Sequence, residues 1–111
     1  MTGEPIDDFA DAVLAFVDLV PPGRAVTYGD VAGYLGRGGP RQVGTVMARW
    51  GGAVAWWRVL KADGAPPPGH EAEALRHYRR EGTPLRGERV DLARARWRPP
   101  DAGPDAVPDR D

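Results

Sequence analysis

Residues 27–49 read TYGDVAGYLGRGGPRQVGTVMAR, and this stretch decides the fold. Thr27 and Asp30 stand at the spacing of a capping box, in which a hydroxyl and a carboxylate three residues apart each accept from a backbone N–H at a helix start. Val31, Ala32 and Leu35 follow at steps that place them on one helical face. Gly36-Arg37-Gly38-Gly39 is too rich in glycine to continue the helix and predicts a turn. Pro40 suits the first position of the next helix, because the N–H it lacks would have no partner there. From Gln42 to Arg49 the apolar residues Val43, Val46 and Met47 share one face. Helix, glycine turn, helix is the pattern of a helix-turn-helix.

Outward from this pair, residues 5–20 predict an amphipathic helix: Ile6, Phe9, Val13, Phe16, Val17 and Val20 recur at steps of three and four. Asp7, Asp8 and Asp11 lie at its N-terminal end, where the helix dipole favours anions, and Pro21-Pro22-Gly23 stops it. Beyond Gly51-Gly52 comes a short apolar run, Ala53 to Leu60, carrying Trp56 and Trp57. Pro66-Pro67-Pro68-Gly69 predicts a stiff loop. Glu71 to Glu81 predicts a last helix with Ala74, Leu75 and Tyr78 inward and Gly82 as its stop. Val90 and Leu92 alternate with Arg89 and Asp91, which predicts a short strand or wing, and Trp97 is placed to dock the end of the domain. The expected fold is mainly α with a small β wing, a helix-turn-helix or winged-helix-like single domain over residues 1–98. Residues 99–111 form an acidic, proline-rich tail expected to be disordered.

The 111 residues suit one domain, and 12 Pro with 15 Gly keep its elements short. The net charge of −1 conceals a segregation: 14 of the 15 basic residues lie between Arg24 and Arg98, against 7 of the 16 acidic ones. A basic middle between acidic ends is the footprint of a polyanion-binding surface. No Cys and no Ser occurs, so disulfides, thiolate metal sites, a cysteine nucleophile and a serine triad are all excluded. His70 and His77 have no partner set for a metal and are expected to be surface residues. No phosphate loop or dinucleotide fingerprint is present. These observations call for no cofactor and no metal. With no apolar run long enough to span a bilayer and an acidic N-terminus, a cytoplasmic, membrane-free monomer is expected.

Three segments carry a family resemblance. Val20-Pro21-Pro22-Gly23-Arg24-Ala25-Val26-Thr27-Tyr28-Gly29-Asp30-Val31-Ala32 resembles the opening of the DNA-binding domain of O6-alkylguanine-DNA alkyltransferases. Pro40 to Met47 resembles that family's recognition helix, and Ala55-Trp56-Trp57-Arg58-Val59 lies where the family carries its Pro-Cys-His-Arg-Val motif. With Trp56 in the place of the acceptor cysteine, the chain resembles alkyltransferase-like proteins. An indole is no nucleophile toward an alkyl carbon, so this resemblance implies binding without repair.

The resemblance further implies that double-stranded DNA with an alkylated guanine is the partner. The recognition helix enters the minor groove, the damaged base is flipped out, and nucleotide excision repair proteins are then recruited. It places Tyr28, Arg41, Gln42, Gly44, Thr45 and Ala48 at the DNA, with Arg41 filling the vacated stack and Tyr28 pressing on the adjacent phosphate. It places Trp56, Trp57, Arg58 and Val59 at the lesion pocket, covered by the loop around Pro66–His70. Trp57 occupies the position of the family's relay histidine, and Glu81 that of its relay glutamate, left with no relay to serve. A winged-helix transcription regulator that reads undamaged DNA is the alternative reading of the same helix pair.

Overall fold

The computed structural model describes residues 7–99; the tail expected over 99–111 lies, but for Pro99, outside the described residues. Among the described residues five α-helices and four two-residue strands follow in the order α1 (Asp8–Leu19), β1 (Val26–Thr27), α2 (Tyr28–Leu35), α3 (Pro40–Trp50), β2 (Val59–Leu60), α4 (Glu71–Glu81), β3 (Leu85–Arg86), β4 (Arg89–Val90) and α5 (Leu92–Ala95), with single 3-10 turns at Gly51–Ala53 and Trp56–Arg58 between α3 and β2. This is the mainly helical domain with a small β wing that the sequence predicts.

The starts of α1, α2 and α3 and the end of α2 have local chemical reasons. The Asp7 carboxylate accepts from the Ala10 N–H at 2.7 Å and caps α1. The capping box at α2 is formed in full: Thr27 Oγ1 accepts from the Asp30 N–H at 2.9 Å, and Asp30 Oδ2 accepts from the Thr27 N–H at 3.0 Å. Gly36 ends α2 with φ 75°, a left-handed conformation that glycine adopts without penalty. At α3, Gln42 Oε1 reaches back to the Gly39 N–H at 2.9 Å, a half capping box.

α1, α2 and α3 enclose the larger core, built from Val13, Phe16, Val17, Val31, Val43 and Val46 and closed by Trp97. Phe16 packs between the Tyr34 ring at 5.6 Å and the Trp97 ring at 5.8 Å, so the end of the domain is fastened to its first helix. A second, smaller core gathers Ala25, Leu60, Ala74, Tyr78, Val90 and Ala95 beneath α4 and the wing. β1 joins the two cores. It pairs in parallel with β2, Val26 opposite Val59 and Thr27 opposite Leu60, and Ala25 bridges to Arg96 on its other side. Nothing local in the sequence predicts this central strand pair or the bridge beside it.

The wing departs from the expected strand over Val90 and Leu92. β3 and β4 form a hairpin, Leu85 opposite Val90 and Arg86 opposite Arg89, turning through Gly87 at φ 63°. The strand ends at Val90, and Leu92 opens the one-turn helix α5. Asp91 causes the change: its carbonyl accepts from the Arg94 and Ala95 N–H groups and starts a helical turn. A neighbouring turn packs on the wing through Gly64, whose carbonyl accepts from the Val90 N–H at 3.0 Å. Gly64 has φ 87°, and a Cβ there would collide with the Val90 carbonyl oxygen, so only glycine fits.

Candidate nucleic-acid interface

α3 presents two different faces. Val43 and Val46 are buried in the core, whereas Arg41, Thr45 and Ala48 lie exposed on the other side, with Gly44 half-buried beside them. Beyond Arg41, the outward stripe of the helix is made of small residues. Thr45 turns its hydroxyl back to the Arg41 carbonyl at 3.1 Å, and Gly44 faces open space. Such a helix offers a close approach to a narrow groove, led by a planar cation in its first turn.

The C-terminal half of α3 borders a cavity of about 500 Å³. Tyr28 at the start of α2 closes one side, and Gly44, Met47, Ala48, Gly51 and Gly52 form the floor along α3 and the turn after it. Trp56, Pro67, Pro68, His70 and Glu73 complete the wall. Gly51 and Gly52 bring bare backbone to the lining after α3, with the Met47 side chain packed on Gly51 and open space beside Gly52. The size falls within the range of small-ligand pockets. Burial raises the Tyr28 phenol above its ordinary pKa of 10.0, so its hydroxyl stays protonated and can donate to an anion such as a phosphate.

Of the residues placed at the lesion pocket, Trp56 alone lines this cavity. Trp57, Arg58 and Val59 are not on its wall. Val59 is fully buried as the β2 partner of Val26. Trp57 and Arg58 turn away toward Glu81, which holds the segment from behind. Glu81 Oε2 accepts from Trp57 Nε1 at 2.9 Å and from the Arg58 guanidinium at 2.6 Å, and Oε1 accepts from the Gly23 N–H at 3.0 Å. Arg58 also donates to the Val20 carbonyl at 2.9 Å. The physical reason is economy of buried charge: a guanidinium 15% exposed and a carboxylate 10% exposed must face one another. Glu81 therefore has a structural task, joining the turn before β1 to the motif segment.

Of the two histidines expected at the surface, His77 departs from that position and His70 keeps it. His77 is half-buried and stacks flat on Trp57, ring centres 3.5 Å apart and planes 3° from parallel. Burial and the nearby Arg80 push its pKa below the ordinary 6.5, and the charges of Glu73 and Glu81 oppose that only in part. His70, although exposed, borders the cavity with its ring centre 5.5 Å from that of Trp56. Trp56 thus stands among three rings, with the Trp57 edge at 5.6 Å and His77 at 6.0 Å. Its plane is set by aromatic neighbours rather than by a hydrogen bond of its own.

Of the residues assigned to DNA, Tyr28, Gly44 and Ala48 border the cavity, Arg41 and Gln42 precede it along α3, and Thr45 lies between Gly44 and Ala48 on the exposed side. Gln42 has a second employment as the cap on Gly39. Sequence reasoning passed over Met47, Gly51, Gly52 and Glu73. Met47 and Gly51 follow Gly44 and Ala48 at helical steps, which is a usable signal. Glu73 carries none, because its place depends on where α4 docks.

A family profile described as the 6-O-methylguanine DNA methyltransferase, DNA binding domain, matches residues 8–88. Two solved structures of S. pombe proteins are similar over 86% of this chain and the whole of theirs, each at 26% identity. One is Atl1 in complex with damaged DNA containing O6-carboxymethylguanine, with a TM-score of 0.73; the other is ATL in complex with DNA, with a TM-score of 0.72. A comparison with curated protein sequences returns no match. The profile match spans the helix-turn-helix and every residue that lines the cavity, and the chain belongs to the family of the 6-O-methylguanine DNA methyltransferase DNA-binding domain.

Proposed function

We propose that this chain binds O6-alkylguanine in duplex DNA and leaves the alkyl group in place. The observation that carries the reading is the composition of the cavity wall. An indole, that of Trp56, stands where the family resemblance places the acceptor thiol, and the chain has no cysteine at all. A flat apolar ring can stack against an extruded base, but it offers no nucleophile to a saturated carbon. Extrusion costs a few kcal/mol of lost stacking and pairing, and something must fill the gap. Arg41, exposed in the first turn of α3 ahead of the cavity, is the planar cation suited to it. Tyr28, a half-buried and protonated phenol on the cavity side, serves as the donor to the neighbouring phosphate. The protein is then a sensor: it marks the lesion for nucleotide excision repair and is itself unaltered.

The deciding experiment is competition binding between duplexes of one sequence with guanine or O6-methylguanine at a single position. Tighter binding of the modified duplex at matched salt is the expected result, and equal affinity rejects the reading. Prolonged incubation followed by intact-mass measurement should show neither an alkylated protein nor a repaired base. Arg41→Ala should weaken binding to the modified duplex by roughly 1–2 kcal/mol, about the value of one lost stacking partner. A fluorescent base analogue opposite or beside the lesion should at the same time report less extrusion. An unchanged signal would reduce Arg41 to an ordinary phosphate contact.

A further inference from the structure

The cavity wall has a charge character of its own. Of the side chains that line it, Glu73 is the one acid, and no Lys or Arg is among them. Arg58, the cation nearest in sequence to Trp56, is turned away and paired with Glu81. Glu73 sits in the first turn of α4, three residues beyond His70, and no salt bridge engages its carboxylate among the described residues. A substituent entering beside Trp56 therefore meets apolar rings and prolines, one imidazole and one unpaired anion.

We infer that Glu73 makes the cavity selective by charge, so that neutral O6-substituents are accepted and anionic ones disfavoured. The inference rests on the lesion-binding reading above and adds to it the class of adduct. Two like charges that share one partly solvated cavity repel enough to change affinity several-fold, even with water screening much of the field. No lysine or arginine on the wall supplies a compensating full positive charge, and the N-terminus of α4, which has no side-chain cap, contributes only a partial one. The S. pombe Atl1 structure, by contrast, is with DNA containing O6-carboxymethylguanine, whose adduct ends in a carboxylate. The same adduct is the natural probe here.

The test uses the full chain and four duplexes of one sequence, carrying guanine, O6-methylguanine, O6-carboxymethylguanine or its amide, O6-carbamoylmethylguanine. The last two have nearly the same size and differ by one charge. At pH 8, where histidine is ordinarily neutral, the amide duplex should bind about three- to tenfold more tightly than the carboxylate duplex. Glu73→Gln should close that gap, and Glu73→Arg should reverse it. Glu73 is exposed, so neither substitution disturbs the core. Equal affinity of the isosteric pair for the wild-type protein overturns the inference, as does a gap that survives in Glu73→Gln. If O6-methylguanine itself binds no better than guanine, the lesion-binding reading falls and takes this one with it. If O6-methylguanine is preferred but the pair is not resolved, the function stands and the charge filter alone is refuted.

Discussion

Glu81→Ala is expected to lower the melting temperature by on the order of 10–20 °C. The carboxylate accepts from three groups on two separate parts of the chain: the Gly23 N–H on one, and the Trp57 indole and the Arg58 guanidinium on the other. Its removal leaves the Arg58 charge, 15% exposed, beside an indole N–H that has lost its acceptor. Breaking one side of a buried ion pair costs about 3 kcal/mol, and in a domain of this size each kcal/mol moves the midpoint by about 4–8 °C. Glu81→Gln keeps an acceptor for Trp57 while removing the charge, so it should lie between wild type and alanine. A Glu81→Ala protein that melts within a few degrees of wild type would show that the contacts are surface decoration.

The same carboxylate makes stability depend on acidity. Burial pushes its pKa up, but hydrogen bonds from Arg58, the Gly23 N–H and Trp57 outweigh this and hold it below its ordinary 4.5. A depressed carboxyl stabilises the folded state above its unfolded pKa, and that share is lost as pH falls through the folded value. The difference in melting temperature between wild type and Glu81→Gln should therefore be constant near neutrality and shrink below about pH 4.5. A difference that grows on acidification would have the wrong sign for this network.

Trp56→Ala is expected to remove most of the preference for an alkylated duplex, about 2–3 kcal/mol or roughly thirty- to a hundred-and-fifty-fold, while binding to unmodified DNA changes little. Stacking on one aromatic ring is worth roughly 1–3 kcal/mol per base, and Trp56 is the largest flat surface on the cavity wall. Its ring is held edge-on by Trp57 and flanked by both histidines, so truncation also frees its neighbours to collapse into the space. Trp56→Phe should recover part of the effect, because a smaller ring still stacks. Parallel losses for modified and unmodified duplexes would mean that Trp56 supports the fold and does not touch the lesion.

These two residues show how far local reading reaches. The helices were legible because their signals are short-range. A Thr and an Asp three apart bind each other's backbone whatever surrounds them, and Gly36 and Gly82 stop α2 and α4 by their own conformational freedom. Trp56 was legible through the family resemblance, which supplies an aligned position rather than a geometry. The wing was half legible: alternation marked Val90, but it could not reveal that Asp91 starts a helical turn and ends the strand before Leu92.

Residues 7–99 thus contain two kinds of information. The amino-acid order by itself determined the helix-turn-helix, the small-residue stripe behind Arg41, the basic middle of the chain and the absence of any thiol. Only the tertiary structure decided that Trp57 and Arg58 turn to Glu81, that Val59 is spent on a strand pair, and that His70 and Glu73 meet Trp56 across a cavity. The physical reason is range. Capping and periodicity act over three or four residues, whereas pairing a buried charge and closing a cavity depend on where α4 and the loop before it come to rest against segments more than 20 residues away.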